Sequence, residues 1–317
     1  MPGCWNSVFP FTNFLFKLAL AQMIGKIYGA FRWAANHPMR TGSKFNAMRS
    51  FARAQLGARL VAGDVCVPLP NGTHLLVPPQ MKGAIHFIWP GVYDFEEMSF
   101  IMHFLRPDDL FIDAGANIGV FTVLASGVTG ARTIAFEPAP FAFQFLARNI
   151  LLNDLSRLVS ARNMALGNQT GKVRFTAGLG TENHIVQGEG GVESVEVEAT
   201  TLDEQAKNLE PAVIKIDVEG FEHAVLAGAR NCLSKLSLRA LIIERVGNAG
   251  QFGGNEVTLH ENIRSQGFVP CAYDPLKRFL FQIPEESLGN IIYVRNIESA
   301  NERLRQAPAY HFAGRSI

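Results

Sequence analysis

The sequence predicts an α/β domain with a doubly wound, mainly parallel sheet. An apolar run at 110–114 ends on an acid and turns through two glycines into a helix-like stretch, which is how α/β domains build a nucleotide crevice. Strand-like and helix-like segments then alternate as far as residue 244, as in parallel sheets. Alternating segments between 268 and 295 predict an antiparallel edge on the C-terminal side.

The first 60 residues are predicted to be a basic, helical N-terminal extension. They hold eight of the 29 Lys and Arg residues and none of the 28 Asp and Glu residues, which indicates a separate role. Residues 8–33 are apolar and aromatic, but Lys17 and Lys26 make a membrane-spanning helix costly. Four alternatives stay open: helices packed on the catalytic domain or a dimer partner, peripheral membrane contact, a spanning helix, and a cleaved targeting peptide.

Residues 61–106 are predicted to be a small cap of strands and a helix. Asn71-Gly72 is a hairpin signal between strands at about 64–69 and 73–77. A turn around 89–94 then leads into a helix at about 95–105.

The main domain is predicted to span 107–297. Parallel strands are expected near 110–114, 132–137, 158–162, 212–217 and 239–244, and helices near 118–127, 139–151 and 219–231. Two segments, 171–176 and 193–198, interrupt the alternation as an antiparallel pair around a Gly-rich loop at 178–191. A helix near 256–266 precedes C-terminal strands at 268–273, 277–282 and 290–295. The polar tail, 298–317, is expected to fray.

The cysteines favour a reducing, cytoplasmic compartment. They are scattered and form no C-x-x-C pair, which argues against disulfides and against a zinc site: Cys4, Cys66, Cys232 and Cys271. No spacing among the acids demands a metal, so no metal ligand is predicted. No recognised RNA-binding module accompanies the basic N-terminus, so no nucleic-acid partner is predicted either.

The turn after the first strand is predicted to bind a ligand through its backbone. Gly115 and Gly119 allow a sharp turn and a close approach, and Asn117 between them tolerates a left-handed conformation. Asn117 stands where dinucleotide-binding folds carry glycine, which counts against NAD and FAD. Asp113, at the end of the strand, is a further candidate for the ligand site.

The second and third strands supply candidate nucleoside contacts. Glu137 ends the second strand 24 residues after Asp113, and an acid placed there is positioned to accept hydrogen bonds from both ribose hydroxyls. Asn163 and Ala165 follow the third strand, where the main chain or the Asn163 amide would read an adenine edge, although ordinary turn chemistry also explains this segment.

The fourth and fifth strands supply candidate catalytic acids. In the doubly wound order Asp217 borders the crevice at the switch point, next to the reacting end of the ligand. Glu219 lies behind it, and Glu244 faces the same rim from the next strand. Acids at a helix start are also favoured by the helix dipole, which explains Glu219 and Glu222 without any function. His223 is expected on a helix surface rather than as a base.

These motifs resemble the FkbM family of S-adenosylmethionine-dependent methyltransferases. The matching runs are Phe111-Ile112-Asp113-Ala114-Gly115-Ala116-Asn117-Ile118-Gly119, Ala135-Phe136-Glu137-Pro138, Asn163-Met164-Ala165-Leu166-Gly167, Ile214-Lys215-Ile216-Asp217-Val218-Glu219-Gly220 with Glu222, and Val225-Leu226-Ala227-Gly228-Ala229. The similarity covers about 90–245. Upstream, Gly91-Val92-Tyr93-Asp94 resembles the family's Gly-x-Tyr-Glu, with Asp94 in place of Glu.

The resemblance implies a class I, Rossmann-like methyltransferase fold and O-methylation of a hydroxyl on a sugar, glycan or secondary metabolite. It implies that Asp113, Gly115 and Asn117 lie along the methionine part of S-adenosyl-L-methionine, that Glu137 holds the ribose, and that Asp217 faces the sulfonium or the acceptor. Two alternatives stay open: a Rossmann-type oxidoreductase, and a non-catalytic, membrane-associated nucleoside-binding protein. Peripheral membrane contact through the N-terminus and a homodimer are further expectations.

Overall fold

The computed structural model describes the chain in separate segments. The described residues are 25, 28–38, 43–60, 63–78, 81, 84–89, 93–176, 194–244, 256–284, 290–312 and 315–316. The chain divides into two compact units, residues 1–60 and residues 61–317. The boundary coincides with the predicted end of the basic extension, whereas the predicted cap at 61–106 belongs to the larger unit.

The smaller unit is helical where it is described. Residues 28–36 are helical, and α1 (Lys44–Leu60) has no acid in its first turn. Phe51 on α1 packs edge-to-face against Phe31, with ring centroids 5.6 Å apart. No helix among the described residues is long and apolar enough to cross a membrane. Most of the apolar segment at 8–33 lies outside the described residues.

The larger unit alternates strands and helices. Its strands are β1 (Val65–Pro68), β2 (His74–Val77), β3 (Leu110–Ala114), β4 (Arg132–Phe136), β5 (Val159–Arg162), β6 (Ala165–Leu166), β7 (Gly171–Thr176), β8 (Ser194–Thr200), β9 (Val213–Ile216), β10 (Ala240–Ile243), β11 (Val269–Asp274), β12 (Phe279–Gln282), β13 (Ile291–Val294), β14 (His311–Phe312) and β15 (Arg315–Ser316). Its helices are α2 (Ala84–Ile88), α3 (Phe95–Phe104), α4 (Val120–Val123), α5 (Pro140–Leu152), α6 (Leu202–Gln205), α7 (Glu222–Ala227), α8 (Arg230–Leu233), α9 (Glu256–Ser265) and α10 (Ile297–Arg305).

Eight of the described strands form one sheet in the order β12-β11-β13-β10-β9-β3-β4-β5. The five strands from β10 to β5 are parallel, and β11, β12 and β13 form the predicted antiparallel edge. The order reverses between β3 and β9, so the switch point of this doubly wound sheet lies beside the glycine turn. The predicted fold class is confirmed.

The central strands are buried on both faces, which explains their unbroken apolar sequences. Every residue of β3, β9 and β10 is buried, because helices cover both sides of a parallel sheet. Consequently the charged side chains Asp113 and Lys215 of β3 and β9 lie in the interior, with their Cα atoms directly paired across the two strands.

Two smaller features also follow the prediction. β1 and β2 pair around a turn in which Asn71 and Gly72 both have positive φ, as the hairpin signal requires. β7 pairs antiparallel with β8, and β6 joins β8 from the other side. The Gly-rich loop predicted at 178–191 lies outside the described residues.

Three expectations need correction. The helix predicted at 118–127 is α only over α4 and continues as a π-helical turn, Leu124–Val128. The helix predicted at 219–231 is two short helices, α7 and α8, because α7 ends at Ala227 with Gly228 as its C-cap residue. The tail does not fray at its start: Asn296 caps α10, and Asn301 exchanges two hydrogen bonds with the backbone of β12 at Leu280. The tail was predicted to fray because it is polar on average, although one side of α10 is buried.

Candidate active site

A cleft of about 290 Å³ opens at the carboxyl ends of the central parallel strands. Its lining residues on the β3, β4 and β5 side include Gly115, Asn117, Glu137, Met164, Ala165 and Phe175. Those on the β9 and β10 side, together with the segment before α3, include Tyr93, Asp94, Lys215, Asp217, Glu219 and Glu244. The fold therefore brings most of the predicted site residues to one crevice at the switch point.

The glycine turn fits against the loop after β9 without space for a side chain. Gly115 has φ +84°, and a Cβ built there would lie 1.7 Å from the main-chain oxygen of Asp217. The amide of Asp217 in turn donates to the carbonyl oxygen of Ala114 at 3.0 Å. Asn117 has φ +52°, the left-handed conformation predicted for it. Its Oδ1 accepts from the Ile118 amide at 2.8 Å, which fixes the turn.

Glu137 presents a nearly buried carboxyl group to the cleft. Its Oε2 accepts from the amide of Asn117 and its Oε1 from the amide of Ala139, both at 2.8 Å. Burial raises the pKa of Glu137 to about 7, although these two amides lower it. Each carboxylate oxygen keeps a second acceptor position. Glu137 is therefore oriented by the backbone and able to accept hydrogen bonds from a diol.

Two predicted cofactor residues, Asp113 and Gly119, lie behind the lining of the cleft. Asp113 is fully buried and accepts from Thr122 Oγ1 at 2.6 Å, and burial raises its pKa. Gly119 begins α4 and faces the side chain of Leu146, which is 2.6 Å from where a Cβ would stand. Both positions support the turn from beneath, and their predicted contact with a cofactor stays a prediction.

Asn163 also supports the site from behind. Its Nδ2 donates to the carbonyl oxygens of Glu137 and Pro138, at 2.8 and 3.0 Å. These bonds hold the turn after β4 rather than pointing the amide into the cleft. Ala165, two residues further on, does line the cleft. The adenine contact predicted for Asn163 is untested, but its side-chain donors already have partners.

Lys215 is an unpredicted member of the site. Its side chain is 4% exposed, and its Nζ lies 2.6 Å from Asp217 Oδ2 and 4.6 Å from the centroid of the Phe121 ring. Burial alone would lower the pKa of Lys215, but the carboxylates of Asp217 and Asp113 hold it above its usual value. Lys215 likewise outweighs the burial of Asp217 and keeps that carboxyl's pKa below its usual value. The pair is therefore ionised.

Glu244 and Glu219 stand beside Asp217. One carboxylate oxygen from each of the three residues lies within 4.8 Å of the others. Burial first, and then Asp217, raises the pKa of Glu244 to about 10, so at neutral pH it is a protonated acid in hydrogen-bond contact with Asp217. Oxygen ligands in this arrangement suit a hard divalent cation. The prediction that no metal is bound is untested.

The loop that carries Glu219 is held in a rare conformation. Glu219 and Gly220 have φ +53° and +97°. Glu222 Oε1 accepts from the amides of Val218 and Gly220, both at 3.1 Å. Glu222 therefore stabilises the loop in addition to standing at the start of α7. His223 is not among the described residues that line the cleft, and the expectation that it is no base stays a prediction.

The segment before α3 contributes two lining residues that were not among the candidates. Asp94 is the N-cap residue of α3, yet its side chain makes no capping hydrogen bond. Burial raises its pKa to about 7, against the opposing effect of Lys215. The ring of Tyr93 packs edge-to-face on Phe87 at 5.1 Å. The Gly-x-Tyr-Glu resemblance was the signal for this segment, but only the tertiary fold places it at the cleft.

Comparisons with known proteins find several relatives of this chain. Residues 113–270 match the Methyltransferase FkbM domain. The chain is 33% identical over 141 residues to hexuronic acid methyltransferase AglP of Haloferax volcanii, covering 43% of this chain and 56% of that protein. It is 30% identical over 195 residues to Methyltransferase 1 of Beauveria bassiana, covering 53% of this chain and 76% of that protein. A solved FkbM methyltransferase from Methylobacillus flagellatus is 16% identical, with 79% of this chain and 60% of that chain covered and a TM-score of 0.43. The chain thus spans little more than half of the Haloferax relative.

Proposed function

Since the chain belongs to the FkbM family of methyltransferases, we propose that it transfers the methyl group of S-adenosyl-L-methionine to a hydroxyl oxygen of a sugar, glycan or secondary metabolite. One observation carries this proposal. A single cleft joins a backbone-oriented carboxyl, Glu137, to an ionised Lys215–Asp217 pair with the protonated Glu244 beside it. The first suits the ribose of a nucleoside, and the second suits an acceptor hydroxyl.

The residues on the β3, β4 and β5 side fit S-adenosyl-L-methionine. Glu137 would accept hydrogen bonds from the ribose hydroxyls, and the apolar groups Met164, Ala165 and Phe175 would enclose the adenine. The backbone of the turn at Gly115 would lie along the methionine part. When bound, this cofactor supplies a methyl group that its sulfonium has already activated.

The residues on the β9 and β10 side fit an acceptor hydroxyl. Asp217, ionised through Lys215, would accept the hydroxyl's hydrogen bond and point its oxygen toward the methyl group. The hydroxyl proton would pass to the carboxylate once the oxygen–methyl bond has formed and the sulfur–methyl bond has broken. Because the pKa of Asp217 is low, orientation is its main task and proton uptake follows bond formation. Glu244, being protonated, would donate to a neighbouring oxygen of the acceptor.

The charges around the cleft favour an uncharged acceptor. Among the described lining residues Lys215 is the one Lys or Arg, and it is already paired with Asp217, so none of these residues offers a cation to an anionic acceptor. The Haloferax relative is named for hexuronic acid, whose carboxylate would need a cation of its own. We therefore propose a neutral polyhydroxyl compound for this chain.

The family assignment removes the support for an oxidoreductase. A non-catalytic, membrane-associated nucleoside-binding protein would also bind S-adenosyl-L-methionine but would transfer no methyl group. Membrane contact through residues 1–60 and a homodimer remain untested proposals.

Calorimetric titration with S-adenosyl-L-methionine tests the cofactor half. We expect saturable binding that Glu137→Ala weakens at least about tenfold, the loss of one or two hydrogen bonds in a buried site. Glu298→Ala, an exposed acid at the start of α10, is the matched control and should bind as the wild type. Absence of binding to the wild type would contradict the proposal.

A methyl-transfer screen tests the acceptor half. Radiolabelled methyl transfer is measured to a panel of neutral glycosides, the matching uronates and amine analogues, with Asp217→Asn as the inactive comparison. Transfer to the amines, or an Asp217→Asn variant with full turnover, would contradict the assigned chemistry. Cofactor binding without transfer to any acceptor class would favour the non-catalytic alternative.

A further inference from the structure

A groove of about 470 Å³ lies at the amino ends of the parallel strands, on the opposite end of the sheet from the cleft. Arg239 immediately precedes β10 and Asp109 immediately precedes β3, so this is the edge where the parallel strands begin. The groove runs between the start of β10 and one side of α10. Arg239, Arg295 and Arg303 line it, together with the polar side chains of Asn296, Ser299 and Gln306.

Two of the surrounding arginines are held by neutral acceptors, so their charge is not cancelled. Arg295 donates to the carbonyl oxygens of Leu238, Leu233 and Gln266. Arg106, beside the groove, donates through its guanidinium to main-chain carbonyls at the end of α3 and to that of Arg303. These bonds fix the guanidinium groups in place while leaving a positive field around them.

Few carboxylates compensate this field. Asp109 pairs with Arg303 through Oδ2, the same oxygen that accepts from the amide of Arg106 at 2.7 Å. Glu302 is the one acid among the groove's described lining residues. Burial lowers the pKa of Arg303, and the charges of Arg239 and Arg106 lower it further despite Asp109. Four guanidinium groups thus face two carboxylates, and the arginines repel one another.

Arg239 is the guanidinium available to a ligand. Its side chain is 51% exposed, and its ion-pair contact is the Asp109 Oδ1 atom, 4.0 Å away. Within the described part of the chain the guanidinium of Arg239 makes no hydrogen bond, whereas its backbone bonds to Ala212 and Arg295. Its planar donors match the oxygens of a tetrahedral anion. Because Arg295 and Arg303 are already held in place, binding an anion would carry a smaller loss of side-chain entropy.

We propose that this groove is a binding site for a phosphate group, with Arg239 as its principal ligand and Arg303 as the second cation. The site lies apart from the methyl-transfer cleft and does not depend on the function proposed for it. The phosphate would belong either to a soluble phosphorylated compound or to a phospholipid headgroup, since both present the same oxygens.

The test uses the full-length chain and inorganic phosphate as the probe, followed by calorimetry or by backbone chemical shifts. We expect saturable phosphate binding that Arg239→Ala weakens at least about tenfold. Arg239→Lys should weaken it less, because an ammonium keeps the positive charge but lacks the paired, planar donors of the guanidinium. Arg174→Ala, an exposed arginine on β7, is the matched control and should leave phosphate binding unchanged. Equal thermal midpoints would show that the variants fold.

A vesicle arm identifies the source of the phosphate. Sedimentation with phosphatidic acid vesicles that falls in Arg239→Ala, but not in Arg174→Ala, assigns a lipid headgroup. Phosphate binding that depends on Arg239, without such a difference on vesicles, assigns a soluble phosphorylated compound. The proposal is overturned if the wild type shows no saturable phosphate binding, or if Arg239→Ala binds phosphate as tightly as the wild type does.

Discussion

Replacing Lys215 by Met tests how much the Lys215–Asp217 ion pair contributes to the stability of the fold. Removing the ammonium leaves the partly buried carboxylate of Asp217 without its partner 2.6 Å away. Losing one partner of a buried pair costs about 3–5 kcal/mol, and the low end, about 3 kcal/mol at pH 8, applies because the Asp217 side chain is 30% exposed. Met fills a similar volume, so cavity formation contributes little.

The loss should depend on pH in a defined direction. In the wild type, Lys215 holds the pKa of Asp217 below its unfolded value, so the pair's contribution exists above that value and is lost as pH falls. In Lys215→Met, burial raises the pKa of Asp217 above the unfolded value. The variant's deficit should therefore shrink from pH 8 to pH 5, where the carboxyl takes up a proton.

Urea unfolding at pH 5 and pH 8 measures both effects, with the double variant Lys215→Met/Asp217→Asn as the control. The double variant carries no unpaired charge and should recover most of the lost stability at pH 8. A deficit under about 1 kcal/mol at pH 8 would refute the reasoning, since it lies in the range of a solvent-screened surface pair. An equal deficit at both pH values would refute it as well.

Three further predictions concern the cleft and the C-terminal helix. Gly115→Ala should abolish cofactor binding in calorimetry, because the added Cβ would meet the main-chain oxygen of Asp217. Gly57→Ala is the control: it lies inside α1 with nothing within 4 Å of the added Cβ and should leave binding unchanged. Equal binding by both variants would contradict this prediction. Cofactor affinity should fall as pH drops below about 7, where Glu137 becomes protonated and loses acceptor capacity; a flat profile would exclude its ribose role. Leu304→Ala, at a fully buried position of α10, should lower the unfolding free energy by about 2–5 kcal/mol in urea titrations, whereas a frayed tail would show no change.

Local sequence patterns predicted the part of the site that depends on backbone geometry. The left-handed conformation of Asn117 and the position of Glu137 follow from a turn of fixed length between a strand and a helix. The order of the strands follows from alternation, because crossover connections leave few ways to pack a parallel sheet. For these features the interactions that decide the structure lie close together in the chain.

Features that depend on side-chain direction were not predictable in the same way. In the sequence Lys215 is a single charged residue in an apolar strand. Its ion pair with Asp217 is visible only in the folded structure, where both side chains lie at the carboxyl end of β9. Asn163 has the composition of a ligand-reading residue, but it turns back to hold the chain after β4. Asp94 arrives from a segment more than 120 residues before Asp217. The apolar side of α10, with Ala300 and Leu304, is hidden in a tail that is polar on average.

The contact between the turn at Gly115 and the main chain of Asp217 has a consequence for engineering. Backbone atoms, rather than adjustable side chains, set the spacing between the turn proposed to bind the cofactor and the carboxylate proposed to orient the acceptor. These backbone contacts hold the turn at Gly115 and the loop at Asp217 in a fixed relative position. Substitutions in either segment are therefore expected to disturb the alignment of donor and acceptor. Variants with altered acceptor specificity should therefore be sought at Tyr93, Asp94 and Asn290, which line the cleft but take no part in the backbone contact between Gly115 and Asp217.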